Sequence, residues 1–186
     1  MARGPRNASA LHMLVAMAVL VVPTVAITAV FTRNPAPAVS VVEPAPVASD
    51  AARSASFPVL VATSLPEGWV CTRARWTPAG ATALDGKPAP GDLWQLGYLT
   101  PAQRYIGLDS RVVAPESFVR DRTRDGRADG QSVVAGASWQ RYVSSDGRTR
   151  SLVQRADAVT VVSGDLPYEA LEAFVGTLAV VPGPTR

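Results

Sequence analysis

The chain of 186 residues contains one cysteine, one histidine and one lysine. Cys71, being alone, forms no intramolecular disulfide, so any fold must rest on its core and not on crosslinks. His12 lies in an apolar run near the N-terminus, where an interfacial polar role is the expectation. The rest of the chain therefore lacks the base of a Ser-His-Asp or Cys-His mechanism, and it lacks the ligand of a histidine-based zinc site. Net charge is also scarce. Basic residues number 18 and acidic ones 15, giving +3, and residues 1–33 hold Arg3, Arg6 and Arg33 with no acid. Residues 34–186 are balanced, so the basic pI of about 9.5 belongs to the N-terminal segment, and nucleic acid is not an expected partner. Lys87 as the single lysine, beside abundant Ala, Val, Gly and Pro, matches a GC-rich codon preference. Arginine abundance alone then carries no functional message.

One long apolar run is present, at residues 11–31 (LHMLVAMAVLVVPTVAITAVF). As a helix it measures roughly 31 Å, comparable to a hydrocarbon core of about 30 Å, which predicts a single-pass transmembrane helix after a cytoplasmic tail of residues 1–10. Arg3 and Arg6 before the run place the N-terminus in the cytoplasm and the bulk of the chain outside, at the cell membrane. Pro23 predicts a bend. The alternative is a cleavable signal with a small-residue site at residues 24–26, but the run exceeds the ~7–15 apolar residues usual for that class. Residues 32–56, with Pro35, Pro37, Pro44 and Pro46, read as a Pro/Ala-rich extracytoplasmic linker. In polyproline II form it spans up to roughly 70 Å.

Residues 57–181 read as an extracytoplasmic domain, and 182–186 as a tail. Strands are expected over residues 69–76, 93–99 and 104–110, with a short loop of hairpin length at 100–103, and a short helix follows Pro115 to about residue 123. Residues 124–130 read as a break. A second set follows: strands at 137–144, 149–155 and 159–163, then a helix capped by Asp165, with Leu171, Phe174, Val175 and Leu178 on one face and Glu169 and Glu172 on the other. The fold class is therefore α+β: an antiparallel sheet with two amphipathic helices on one face, in βββα-βββα order, preceded by one transmembrane helix. Trp94-Gln95 to Tyr98 and Trp139-Gln140 to Tyr142 suggest an internal duplication.

Motifs that could carry chemistry each fail on inspection. Residues 136–140 lack the second glycine of a nucleophile elbow. Residues 80–88 have five residues between glycines where a phosphate loop has four, and Pro88 where Ser or Thr binds magnesium. Asp125, Asp129 and Gly130 have the rhythm of a calcium loop, but Arg127 and Gly136 stand at ligand positions. Arg120, Arg122, Arg124 and Arg127 alternate with Asp121, Asp125 and Asp129, which reads as a self-paired, solvated stretch. Cys71 shares a strand phase with Trp69, Arg73 and Arg75, and is expected to be a small buried residue. No cofactor and no metal site is expected. A carboxylate-dependent enzyme using Glu67 or Asp109 is the remoter alternative.

Aromatic residues on strands mostly fill cores. The sharper expectation is a ligand surface or aromatic pocket for a lipid or glycan, made by Trp69, Trp94, Tyr98, Tyr105 and Trp139 with Arg104, Arg73 and Arg75 at its polar end. Residues 64–69 (SLPEGW), 94–101 (WQLGYLTP), 105–108 (YIGL) and 136–139 (GASW) give the chain a resemblance to an uncharacterised family of actinobacterial proteins. That family is a domain of unknown function carried on one N-terminal membrane helix. The resemblance implies an extracytoplasmic placement and no activity. Together these readings predict a membrane-anchored, non-catalytic protein-interaction or ligand-binding accessory of the cell envelope. Its expected partners are the lipid bilayer through the N-terminal helix and an envelope protein, lipid or glycan.

Overall fold

Strand periodicity dominates the chain after its first fifty residues, because apolar side chains recur at every second position and turn residues separate the runs. The computed structural model describes residues 6–32, 40–82 and 86–183. The chain divides into two units, Met1–Val39 and Ser40–Arg186. The described part of the first is one helix, α1 (Arg6–Thr32), with Pro23 inside it. Next to the proline, the Thr24 hydroxyl donates to the Leu20 carbonyl at 2.7 Å and the Thr28 hydroxyl to the Thr24 carbonyl at 2.5 Å. The spanning helix expected over residues 11–31 is not borne out: among the described residues no helix is long and apolar enough to cross a membrane.

The second unit opens with α2 (Pro44–Ser54), where an extended spacer was expected. Pro44 sits in the first helical turn, where its fixed φ suits the helix and its missing N–H costs nothing. Small residues on one face then let the helix dock, and Ala48 and Ala51 are buried against the domain. The linker reading took these alanines as evidence of an unpacked chain. Here they are the contact surface.

A seven-stranded antiparallel sheet follows, in the order β2-β3-β4-β8-β7-β6-β5. Its strands are β2 (Val70–Thr77), β3 (Leu93–Leu99), β4 (Tyr105–Arg111), β5 (Arg127–Val134), β6 (Ala137–Val143), β7 (Arg150–Arg155) and β8 (Val159–Gly164). Two meanders meet at the β4·β8 pair, and α3 (Glu116–Arg122) carries the chain from β4 to the far edge. β1 (Leu60–Ala62) and β9 (Leu178–Val180) form a separate two-stranded sheet that ties the start of the domain to its end.

The expected class, an α+β sheet with both helices on one face in βββα-βββα order, is corrected in three respects. The structure is mostly β, with an extra strand, β5, at the sheet edge. That strand starts inside the stretch read as a break, and its only buried residue is Ser132; an edge strand this polar shows no apolar alternation. The helices also lie on opposite faces. Leu171, Phe174 and Val175 of α4 (Tyr168–Gly176) pack with Trp94, Leu96, Tyr98, Leu108, Leu152 and Val162, whereas Phe118 and Val119 of α3 pack with Leu93, Val153 and Val161. Leu93 and Trp94 are neighbours on β3, and Val161 and Val162 on β8, so the two clusters stand on opposite sides of one sheet. Third, α4 is not capped by Asp165. Its N-cap is Pro167, and Asp165 accepts a hydrogen bond from Thr149 Oγ1 at 2.9 Å; Leu178 lies in β9. The order β2-β3-β4 against β8-β7-β6 is palindromic, which would pair β3 with β7. Trp94 is on β3 and Trp139 on β6, so the matched tryptophans do not occupy equivalent strands.

Candidate functional site

The ligand surface read from the sequence is dispersed by the fold. Trp94, Tyr98 and Trp139 are core residues, and the Trp94 indole donates to the Leu60 carbonyl at 2.8 Å. Trp69, half-buried, stacks on Phe174 with ring centroids 6.2 Å apart. Burial pushes the Tyr98 hydroxyl up to about 12. Together these rings fill the space between sheet and α4, so the expected aromatic pocket there is occupied by the protein itself. Arg104 is exposed and donates to the Asp165 carbonyl at 3.3 Å. Only Tyr105 stands on the other face of the sheet with its ring in solvent, 41% exposed.

That other face holds the site. Its position depends on a bulge in β2: Cys71 pairs with Tyr98, but Arg73 pairs with Gly97, so Thr72 is the extra residue. The bulge inverts the expected phase. Cys71 turns into the core, where burial raises its thiol pKa, and Arg73 and Arg75 turn to the opposite face. Arg73 Nη2 donates to Gln95 Oε1 at 2.9 Å, Gln95 Nε2 to Asp109 Oδ1 at 2.6 Å, and Arg122 Nε lies 3.3 Å from Asp109 Oδ2. Gln95 is only 3% exposed, so this chain of contacts is anchored in the sheet. Arg111 and Arg122 both stand over the Phe118 ring, at 5.6 and 5.5 Å, a cation–π arrangement that fixes their guanidiniums beside α3.

Arg73, Arg75, Arg111 and Arg122 line a groove of about 480 Å³ together with Pro88, Ala89 and Pro90, and Leu93 and Gln95 of β3 run between the arginines of β2 and β4. The proline wall is held by Asp92, whose carboxylate accepts from Ala79 N at 2.9 Å, Ser56 Oγ at 2.8 Å and Ser56 N at 3.2 Å. Burial alone would raise the Asp92 pKa, but these hydrogen bonds outweigh it and hold the carboxyl below its usual range. All four arginines are half-buried, and Arg122 pairs with the Asp109 carboxylate. A fork of guanidiniums in a concave, partly desolvated site matches the bidentate geometry of phosphate or carboxylate.

A larger basin of about 630 Å³ at the other end of β4 is also lined by arginines, Arg104, Arg124, Arg148 and Arg150, with Asp146 and Asp165 among them. Three of these four arginines, Arg104, Arg124 and Arg148, are exposed. Water screens such charges, so the groove is the stronger anion site. The run of arginines flagged in the sequence separates: Arg120 pairs with Asp125 at 3.7 Å, whereas Arg122 reaches Asp109 and Asp129 accepts from the Tyr168 hydroxyl at 2.8 Å. Among the described residues no group of His, Cys, Asp and Glu is placed to hold a metal ion.

Arg111, Arg122 and Gln95 were not read as site residues from the sequence. A signal for them existed on β3 and β4, where one strand phase is apolar (Trp94, Leu96, Tyr98; Ile106, Leu108) and the other is interrupted by polar residues and glycine (Leu93, Gln95, Gly97, Leu99; Tyr105, Gly107, Asp109, Arg111). Buried strands with one uncovered, polar phase mark an open face.

The fold and groove together define a mostly-β domain with helices on both faces of one antiparallel sheet and a basic groove beside α3. The chain belongs to the family described as Protein of unknown function (DUF4245), whose model matches residues 6–178. No curated protein matches it.

Proposed function

We propose that the domain is a non-catalytic ligand-binding accessory whose arginine groove takes the anionic group of its ligand. The observation carrying this reading is the convergence of Arg73 and Arg75 from β2, Arg111 from β4 and Arg122 from α3 on one half-buried groove. Binding is favoured over turnover by the chemistry of the lining. Asp109 is held by Gln95 and Arg122, and Cys71 faces the opposite side of the sheet, so among the described residues the groove offers donors and no poised nucleophile or base. A ligand site is favoured over a flat protein interface by the concave shape.

Titration calorimetry with inorganic phosphate at low ionic strength tests the reading. Phosphate should bind with an affinity that falls as salt rises, and Arg75→Gln should weaken it by about tenfold, the value of one charge-assisted pair. Arg75 is suited to this because its guanidinium makes only a long contact, 3.3 Å to the Thr77 hydroxyl, among the described residues. An enthalpy and a melting temperature unmoved by phosphate would overturn the reading. Placement at the cell envelope, and an actinobacterial source, rest on the family resemblance and belong to the same proposal. Recovery of the native protein from the cytosolic fraction of its cells would refute that placement.

A further inference from the structure

Gly97 and Gly107 are cross-strand partners on β3 and β4, on the same face as the arginine groove. Two facing glycines leave a trough in a sheet, and here the Tyr105 ring lies in it. An added Cβ at Gly97 would stand 2.5 Å from the Tyr105 hydroxyl oxygen and 2.9 Å from Cε2, and one at Gly107 would stand 3.1 Å from Cε1. The ring therefore lies over both backbones, and the residue stays 41% exposed. Glycine–tyrosine cover of this kind stabilises a sheet by itself, but it does not call for an exposed ring next to a cationic groove. Arg73, which lines that groove, is the cross-strand partner of Gly97 on β2, as Gly107 is on β4, so the groove begins beside the backbone that the ring covers. The platform and the groove are one guanidinium apart.

Resting on the anion-binding reading above, we infer that the ligand is an anionic sugar, its phosphate or carboxylate held by the arginines and its pyranose ring stacked on Tyr105. A sugar ring presents an apolar C–H face suited to an aromatic platform, and the hydroxyls around its edge match Arg73 and the polar rim. An acyl chain would need a continuous apolar channel. The wall formed by Pro88, Ala89 and Pro90 is short, and on the platform side the groove gives way to Arg73 and Gln95.

The test uses the full chain and three probes: inorganic phosphate, glycerol 1-phosphate and glucose 1-phosphate. Glucose 1-phosphate should bind roughly two- to tenfold tighter than glycerol 1-phosphate, the range of one aromatic contact. Its ring protons should shift upfield on binding. Tyr105→Phe should keep that excess, and Tyr105→Leu, which still covers the glycines, should remove it while leaving glycerol phosphate binding unchanged. If Tyr105→Leu does not fold, Gly97→Ala serves instead, since its Cβ must lift the ring from the sheet. Equal affinity for the two esters, or an excess that survives Tyr105→Leu, overturns the sugar assignment and leaves the anion site standing. Binding to anionic phospholipid vesicles with no preference for the sugar phosphate overturns it in favour of a lipid headgroup. Failure of phosphate itself to bind removes both readings.

Discussion

Single residues decide which way the polar groups of this sheet face. Thr72 is the clearest case: as the extra residue of the β2 bulge it separates Cys71, in the core, from Arg73 and Arg75, in the groove. Strict alternation places all three together, and nothing in VCTRARWT announces the extra residue. Gly91 has a comparable role at the groove wall, because a Cβ there would stand 2.4 Å from the Val112 carbonyl oxygen. The contact is with backbone, so no rotamer relieves it. Gly91→Ala should lower stability by about 1–3 kcal/mol, the cost of overpacking a close contact, and urea denaturation would show it as a lower midpoint. An unchanged midpoint would mean that the wall shifts freely.

Elements were legible where apolar residues are dense or periodic and obscure where they are not. β3, β7 and β8 emerge within a residue of their expected bounds because each is a short apolar-rich run bounded by turn residues, buried on both faces. The apolar positions Leu171, Phe174 and Val175 identify α4 through its one buried face. Leu171 is fully buried, so Leu171→Ala should cost about 2–5 kcal/mol as lost transfer energy plus cavity, read by thermal or chemical denaturation. A loss below 1 kcal/mol would show that α4 is dispensable to the core. By contrast β5, an edge strand, and α2, an alanine-faced helix, lack strong periodic apolar signals. Their packing partners are distant in sequence, and tertiary contact selects their conformation.

At the scale of the molecule, two carboxylates tie distant segments together. Asp92 holds Ser56 and Ala79, and Glu172 on α4 accepts from the Ser132 hydroxyl and from Arg141, each at 2.6 Å, which lowers its pKa. A carboxyl depressed in the folded state contributes stability that is present above its unfolded pKa and is lost as pH falls through the folded value. Both groups therefore predict stability that declines as the pH drops below about 4, the unfolded carboxyl range. Melting temperatures across pH 2–7 should show this fall, and Glu172→Gln should make it shallower. A curve of the same slope in the variant would exclude Glu172 as a contributor.

By itself the sequence determined the local matters: a disulfide-free chain, a charge-balanced body after residue 33, antiparallel hairpins, two of the helices, and the absence of a histidine from the domain. Those follow from composition and from side-chain periods, which act over a few residues. Tertiary structure decided the rest. It joined the two meanders through β4 and β8, set α3 and α4 on opposite faces, and gathered Arg73, Arg75, Arg111 and Arg122 into one groove with Tyr105 at its edge. Strand order and a one-residue bulge fix which distant residues share a face, and neither is written in any local stretch of the chain.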